Sequence, residues 1–156
     1  MKGKKWLAFC LAMAFVGMGS GCGVLTENSA QVGNSSQMQL EEQLTYEVEK
    51  SEGKVVITIA KNDWVKKISL ADIMQLLQEE GKLSYTMTDG MVTEMEGVAN
   101  TSNSYWMLYT NHELSNTEWG TVEYNGETYA SAMFGAENMP ATNGCTYIWS
   151  YETFSW

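Results

Sequence analysis

The chain has 156 residues, 44% of them hydrophobic, and a formal net charge of −10. The part that follows Cys22 keeps all nineteen acidic residues but only six of the nine lysines, and it contains no arginine, so its net charge is −13. Such a charge repels phosphate backbones and anionic membrane surfaces, which argues against nucleic-acid binding. It is typical of a soluble domain that faces away from the membrane.

The N-terminus carries the features of a secretory signal. Three lysines precede the apolar residues 6–16, and small residues follow as far as Cys22. The apolar run is shorter than the roughly 20 residues needed to span a bilayer. The small residues resemble a bacterial lipobox, although Gly19 stands where that pattern prefers Leu. We therefore expect a lipoprotein signal peptide over residues 1–21, lipidation of Cys22, and anchoring on the outer face of the cell membrane. An ordinary signal peptidase site is the alternative.

Two parts are predicted after Cys22. Residues 22–43 are rich in Ser, Asn, Gln and Gly and lack aromatic residues, which predicts a flexible tether. All the tyrosines, and every tryptophan except Trp6, lie beyond this stretch. We expect residues 44–156 to form a single domain of ordinary size.

The predicted elements of this domain begin with a hairpin of residues 44–49 and 54–60, joined by a turn at Glu52-Gly53. A helix is expected over residues 69–80, because Ser69 and Asp72 form a capping-box-like start and apolar residues follow at helical spacing. Further strands are expected at residues 84–88, 91–95, 105–110, 121–124, 127–132 and 146–151.

Two turn signals, Asp89-Gly90 and Asn125-Gly126, predict hairpins among the later strands. One helix among many antiparallel strands predicts an α+β fold with the helix packed on the sheet. The order of strand, strand, helix and strand is β-grasp-like.

Catalytic and metal-binding residues are scarce. His112 is the only histidine and lies in a polar stretch, so we expect it in an exposed loop and expect no zinc site within one chain. Cys145 is the only cysteine of the predicted domain and is expected to be a small buried side chain. We therefore predict no catalytic residue, no metal, no required cofactor and no enzyme activity.

An ordered set of motifs covers the predicted domain: a helix and strand over residues 69–87, a strand and turn at 95–98, an aromatic strand at 105–109, and a segment with two glycines at 135–149. Together they resemble the transcobalamin C-terminal domain family, also called DUF4430. In the animal vitamin B12 carriers of that family, the domain closes over one face of cobalamin, and many bacterial relatives are exported. The resemblance implies a lipid-anchored, extracytoplasmic ligand-binding protein that captures a corrinoid or similar cofactor for an uptake system.

Aromatic residues are the candidate ligand contacts, and they are Trp106, Tyr109, Trp119, Tyr124 and Trp149. Trp106 corresponds to the central tryptophan of the family, whereas Trp119 and Tyr124 lie in a segment that is longer than in the animal proteins. Because side chains alternate along a strand, Trp106 and Tyr109 are expected on opposite faces. The alternative interpretation of Trp106 and Trp149 is that they are core residues and not ligand contacts.

The chain lacks the separate helical domain of the animal carriers. A transporter, a second binding domain, a second copy or the longer segment would therefore have to complete a corrinoid site. The alternative function is a surface interaction or adhesion module that binds a protein or a glycan.

Overall fold

The computed structural model describes residues 44–63 and 67–155. The predicted signal peptide, Cys22 and the tether lie outside these residues. Strands make up 56% of the described residues and helix makes up 9%. The predicted α+β class is therefore wrong, because the described part of the chain is a mainly β structure with a single short helix.

The strands form one sheet of six and one of three, in the orders β1-β2-β9-β6-β8-β7 and β3-β4-β5. The helix α1 spans Leu70–Glu79 and follows β2. The strands are β1 (Leu44–Ser51), β2 (Lys54–Asn62), β3 (Tyr85–Thr88), β4 (Met91–Met95), β5 (Val98–Ala99), β6 (Ser104–Thr110), β7 (Ser115–Tyr124), β8 (Glu127–Ala132) and β9 (Thr146–Thr153).

The topology also contradicts the predicted β-grasp-like order. Every strand pair in the described residues is antiparallel, so no strand–helix–strand unit returns to its own sheet in parallel. The helix instead connects β2 of the larger sheet to β3 of the smaller one. The last strand, β9, lies in the interior of the larger sheet between β2 and β6.

The start of α1 is the predicted capping box. The Ser69 hydroxyl accepts a hydrogen bond from Asp72 N (3.2 Å), and the Asp72 carboxylate accepts one from Ser69 N (2.7 Å). The N–H groups of Leu70 and Ala71 have no acceptor within the helix, and they donate to the carbonyls of Met139 and Ala136. The segment before β9 therefore satisfies the amides that a helix start leaves unpaired.

Two apolar clusters lie on opposite faces of the six-stranded sheet. The larger cluster joins the buried stripe of α1 to alternate residues of β2, β6 and β9. The smaller cluster lies on the other face and contains Val56, Tyr109, Tyr129 and Ile148, with Val122 and Tyr124 of β7 packed against it.

The β7–β8 hairpin folds back over this second face. Tyr124 of β7 lies close enough to Glu49 of β1 for that carboxylate to affect its pKa, although the two strands are at opposite edges of the sheet. The hairpin covers the apolar side chains on this face of the sheet, which further helices would cover in an α+β protein. Because side chains of the β7–β8 hairpin cover the second face, that face needs no helix, and the fold is mainly β.

Candidate functional site

Trp106 and Trp149 are core residues on the helix face of the sheet. Trp106 is 6% exposed, and its indole N–H donates to the carbonyl of Val98 (2.8 Å). Its ring lies 5.3 Å from that of Tyr151. Trp149 is 4% exposed, and its indole N–H has no hydrogen-bond partner within the described part of the chain. Neither side chain presents a free ring to a ligand.

Tyr109 and Tyr124 belong to the smaller cluster on the opposite face. Tyr109 is 3% exposed, and burial followed by the nearby Glu152 carboxylate raises its pKa strongly. Tyr124 is half-buried and packs edge-on against Tyr129, with ring centroids 6.2 Å apart. Burial, and then Glu49, raise the pKa of Tyr124. Both phenols therefore stay neutral at ordinary pH and act as packing groups.

Trp119 differs from these four aromatic residues because 58% of its surface is exposed. It lies in an irregular stretch of β7, in which Asn116 pairs with Ser131 and Thr121 pairs with Ala130, the preceding residue of β8. Residues 117–120 therefore have no counterpart on β8, and we call them the β7 bulge. A bulge can redirect a side chain, and here it carries the indole at the edge strand of the sheet.

The β7 bulge rests on buried structure. Gly120 has a φ of +119°, a conformation that L side chains rarely adopt. A Cβ at Gly120 would lie 3.7 Å from the hydroxyl oxygen of Tyr109, so the bulge passes directly over the buried phenol. Glu118 N donates to the Asn116 side-chain oxygen (2.9 Å) at the start of the bulge. Trp119 is thus exposed on a supported segment.

The surroundings of Trp119 are acidic. From Leu83 to Ser155 the chain has nine acidic residues and neither lysine nor arginine. Glu118, Glu123 and Glu127 of the β7–β8 hairpin are exposed. In the described residues, no group of His, Cys, Asp and Glu could hold a metal ion. This surface is therefore suited to contact with a cationic partner.

The prediction that His112 is exposed is wrong, because its side chain is buried. Its Nδ1 accepts a hydrogen bond from Leu114 N (3.0 Å), so the neutral ring carries its proton on Nε2 and donates to Thr142 Oγ1 (3.1 Å). The ring joins the β6–β7 connection to the segment before β9. The polar local sequence contains no signal of this long-range contact. Cys145 is partly buried, and burial raises the pKa of its thiol.

A second feature, which the sequence analysis missed, lies at the opposite edge of the larger sheet. Tyr46, Val48, Lys50 and Lys82 line a shallow concavity of about 290 Å³, which we call the β1 concavity. Lys50 pairs with Glu96 (2.9 Å) and Lys82 pairs with Glu80 (2.7 Å). The sequence signal for this concavity was the spacing of Tyr46, Val48 and Lys50, which places the three side chains on one face of β1.

No family model matches the chain, and neither a curated protein nor a solved structure matches it. The resemblance to the transcobalamin C-terminal family therefore stays a prediction. Among the residues that the structure describes, none of the helices is long and apolar enough to cross a membrane.

Proposed function

We propose that this chain is a non-catalytic, lipid-anchored binding protein on the outer face of the cell membrane, and that it contacts a partner protein through the β7 bulge. The observation that carries the proposal is the exposure of Trp119 on a segment supported by Gly120 and Tyr109. An exposed indole leaves a large apolar area in water, and tryptophan is enriched among the residues that dominate binding energy in protein interfaces.

The distribution of the aromatic residues favours a partner surface over a small enclosed ligand. Pockets for small molecules usually bury most of the ligand. Trp106, Tyr109 and Trp149 are buried and divided between two faces of the sheet. They are not available to form one flat platform with Trp119, which lies on an open edge.

The charge of the surface supports a basic partner. Trp119 lies between Asn116 and Thr121 on a hairpin whose charged residues are all acidic. A lysine or arginine on the partner would meet the indole face and the neighbouring carboxylates together, and both contacts are favourable. Charge complementarity of this kind speeds association and selects among partners.

The proposal is tested by photo-crosslinking in the cells that produce the protein. A photoreactive amino acid replaces Trp119 in one variant, and in a second variant it replaces Glu94, which is exposed on β4 in the smaller sheet. We expect a discrete protein adduct at position 119 that is absent at position 94. Adducts of equal yield at both positions, or none at position 119, would contradict a contact surface at the β7 bulge.

The corrinoid that the family resemblance implies is tested separately. Cobalamin and cobinamide are titrated into the chain while tryptophan fluorescence is recorded and corrected for absorbance. If the β7 bulge serves a protein partner, we expect no saturable quenching at micromolar corrinoid. Saturable quenching that a Trp119→Ala variant loses would replace the partner-protein proposal with corrinoid capture.

A further inference from the structure

The outer edge of β1 presents unpaired backbone groups. The turn between β1 and β2 has two residues, and the flanking Ser51 and Lys54 are paired. Residues that flank a two-residue turn exchange both hydrogen bonds, and the pattern then alternates along the strand. The N–H and C=O groups of Glu47 and Glu49 therefore face β2. The N–H and C=O groups of the residues in between face outward, away from β2.

These alternate residues are Tyr46, Val48 and Lys50. β1 is the terminal strand of its sheet, and the described residues contain no strand on its outer side. The register of β2 agrees with this assignment, because Ile59 N donates to Cys145 O (2.9 Å) on the β9 side. An edge of this kind is a template for the addition of another strand.

The same three residues line the β1 concavity together with Lys82. The ammonium groups of Lys50 and Lys82 are paired with Glu96 and Glu80, so their charges are compensated. The Lys82 ammonium also lies 5.1 Å from the centre of the Tyr46 ring. What remains for a ligand is the side of the Tyr46 ring, the Val48 methyl groups and the lysine stems. These groups suit an apolar side chain.

The opposite face of β1 is acidic. Glu47 and Glu49 are exposed there, and a strand added to β1 would place alternate side chains beside them. A second copy of β1, antiparallel and centred on Val48, would set Glu47 opposite Glu49 of the other copy. Like charges directly opposite each other are destabilising. The edge therefore disfavours self-pairing and favours a basic strand.

We propose that β1 accepts an extended segment of another protein as an antiparallel strand, with alternate apolar residues entering the β1 concavity and basic residues facing Glu47 and Glu49. Backbone hydrogen bonds supply affinity in this mode of recognition, and pockets for alternate side chains supply specificity. The proposed site uses residues of β1 and Lys82, none of which belongs to the β7 bulge, so its tests do not depend on the function proposed above.

The test uses the full chain and a capped peptide of alternating valine and lysine, as long as β1. One isomer carries N-methyl groups on the valine amides and another carries the same number on the lysine amides. In this antiparallel arrangement the valines would lie opposite Tyr46, Val48 and Lys50 and direct their amides towards β1, whereas the lysine amides would point away. We expect the valine-methylated isomer to bind at least about tenfold more weakly than the lysine-methylated one, because it loses several hydrogen bonds.

The two isomers have equal charge, so non-specific attraction to an acidic protein cannot separate them. Equal affinities of the isomers, or no binding of the unmethylated peptide, would overturn the proposal. Hydrogen exchange gives an independent check, since the amides of Tyr46, Val48 and Lys50 should gain protection when the peptide binds.

A charge reversal tests the acidic face. Glu47→Lys should weaken binding of the unmethylated valine–lysine peptide by roughly threefold to tenfold and should strengthen binding of a valine–glutamate peptide. Glu94→Lys makes the same change of net charge at an exposed position on β4 and serves as the control. Equal weakening by both variants would mean that only the overall charge matters, and the face assignment would be wrong.

Discussion

Buried titratable side chains of this protein serve as packing groups and stay uncharged. Tyr147 is fully buried in the larger cluster, and its hydroxyl donates to the carbonyl of Pro140 and accepts a hydrogen bond from Thr142 N. Desolvation raises the pKa of Tyr147 to about 12. The phenol is thus a structural group that stays protonated in the folded state well above the pH at which it ionises in the unfolded chain.

This shift predicts a loss of stability at high pH. Between pH 10 and 12 the unfolded chain releases the Tyr147 proton while the folded chain retains it, so the free energy of unfolding falls as the pH rises. The contribution lost is about 1–3 kcal/mol across this range. Tyr147→Phe should therefore be less stable than the wild type at neutral pH, and the difference should narrow towards pH 12. Urea unfolding at several pH values measures it, and a constant difference would contradict the prediction.

Local sequence signals succeeded at the scale of the element. The capping box at Ser69 and the turn signals at Asp89-Gly90 and Asn125-Gly126 depend on residues close in sequence, and the structure confirms the helix start and both hairpins. The β7 bulge was not predicted. A strand pattern does not reveal where two strands fall out of register, because that depends on what the backbone must pass over, which here is Tyr109.

Gly120 tests the support of the β7 bulge. Its φ of +119° is strained for any residue with a Cβ, so Gly120→Ala should lower the free energy of unfolding by about 1–3 kcal/mol. Trp119→Ala should change it by no more than about 0.5 kcal/mol, because the indole is mostly exposed. Urea titration compares the two variants with the wild type. Equal losses would show that Trp119 contributes to packing and would weaken the proposed contact role.

At the scale of the whole molecule, the last strand holds the larger sheet together. β9 pairs with β2 over residues 146–150 and with β6 over residues 147–153, so it joins the first hairpin to the second half of the chain. It also supplies Tyr147, Ile148 and Trp149 to the two clusters. The sheet therefore closes only after the end of the chain is available.

Truncation tests this dependence on β9. A chain that ends at Gly144 lacks the strand and should show no cooperative unfolding, since β2 and β6 lose their shared neighbour. A chain that ends at Thr153 keeps all the pairs of β9 and should unfold cooperatively, with a modest loss from the removal of Phe154 and its ring contact with Tyr105. Near-ultraviolet circular dichroism and urea titration distinguish the two. Cooperative unfolding of the shorter chain would refute the central role of β9.

Signals that are local in the sequence were enough to predict the hairpins, the capped helix and the excess of negative charge. The fold class, the burial of His112 and the β1 concavity depend on contacts between residues far apart in the sequence, and they became clear only in the folded protein. Periodicity shows which residues share a face of a strand, but it does not show which strands become neighbours. The contacts on the second face of the larger sheet join residues that are far apart in the sequence, such as Val56 and Tyr129.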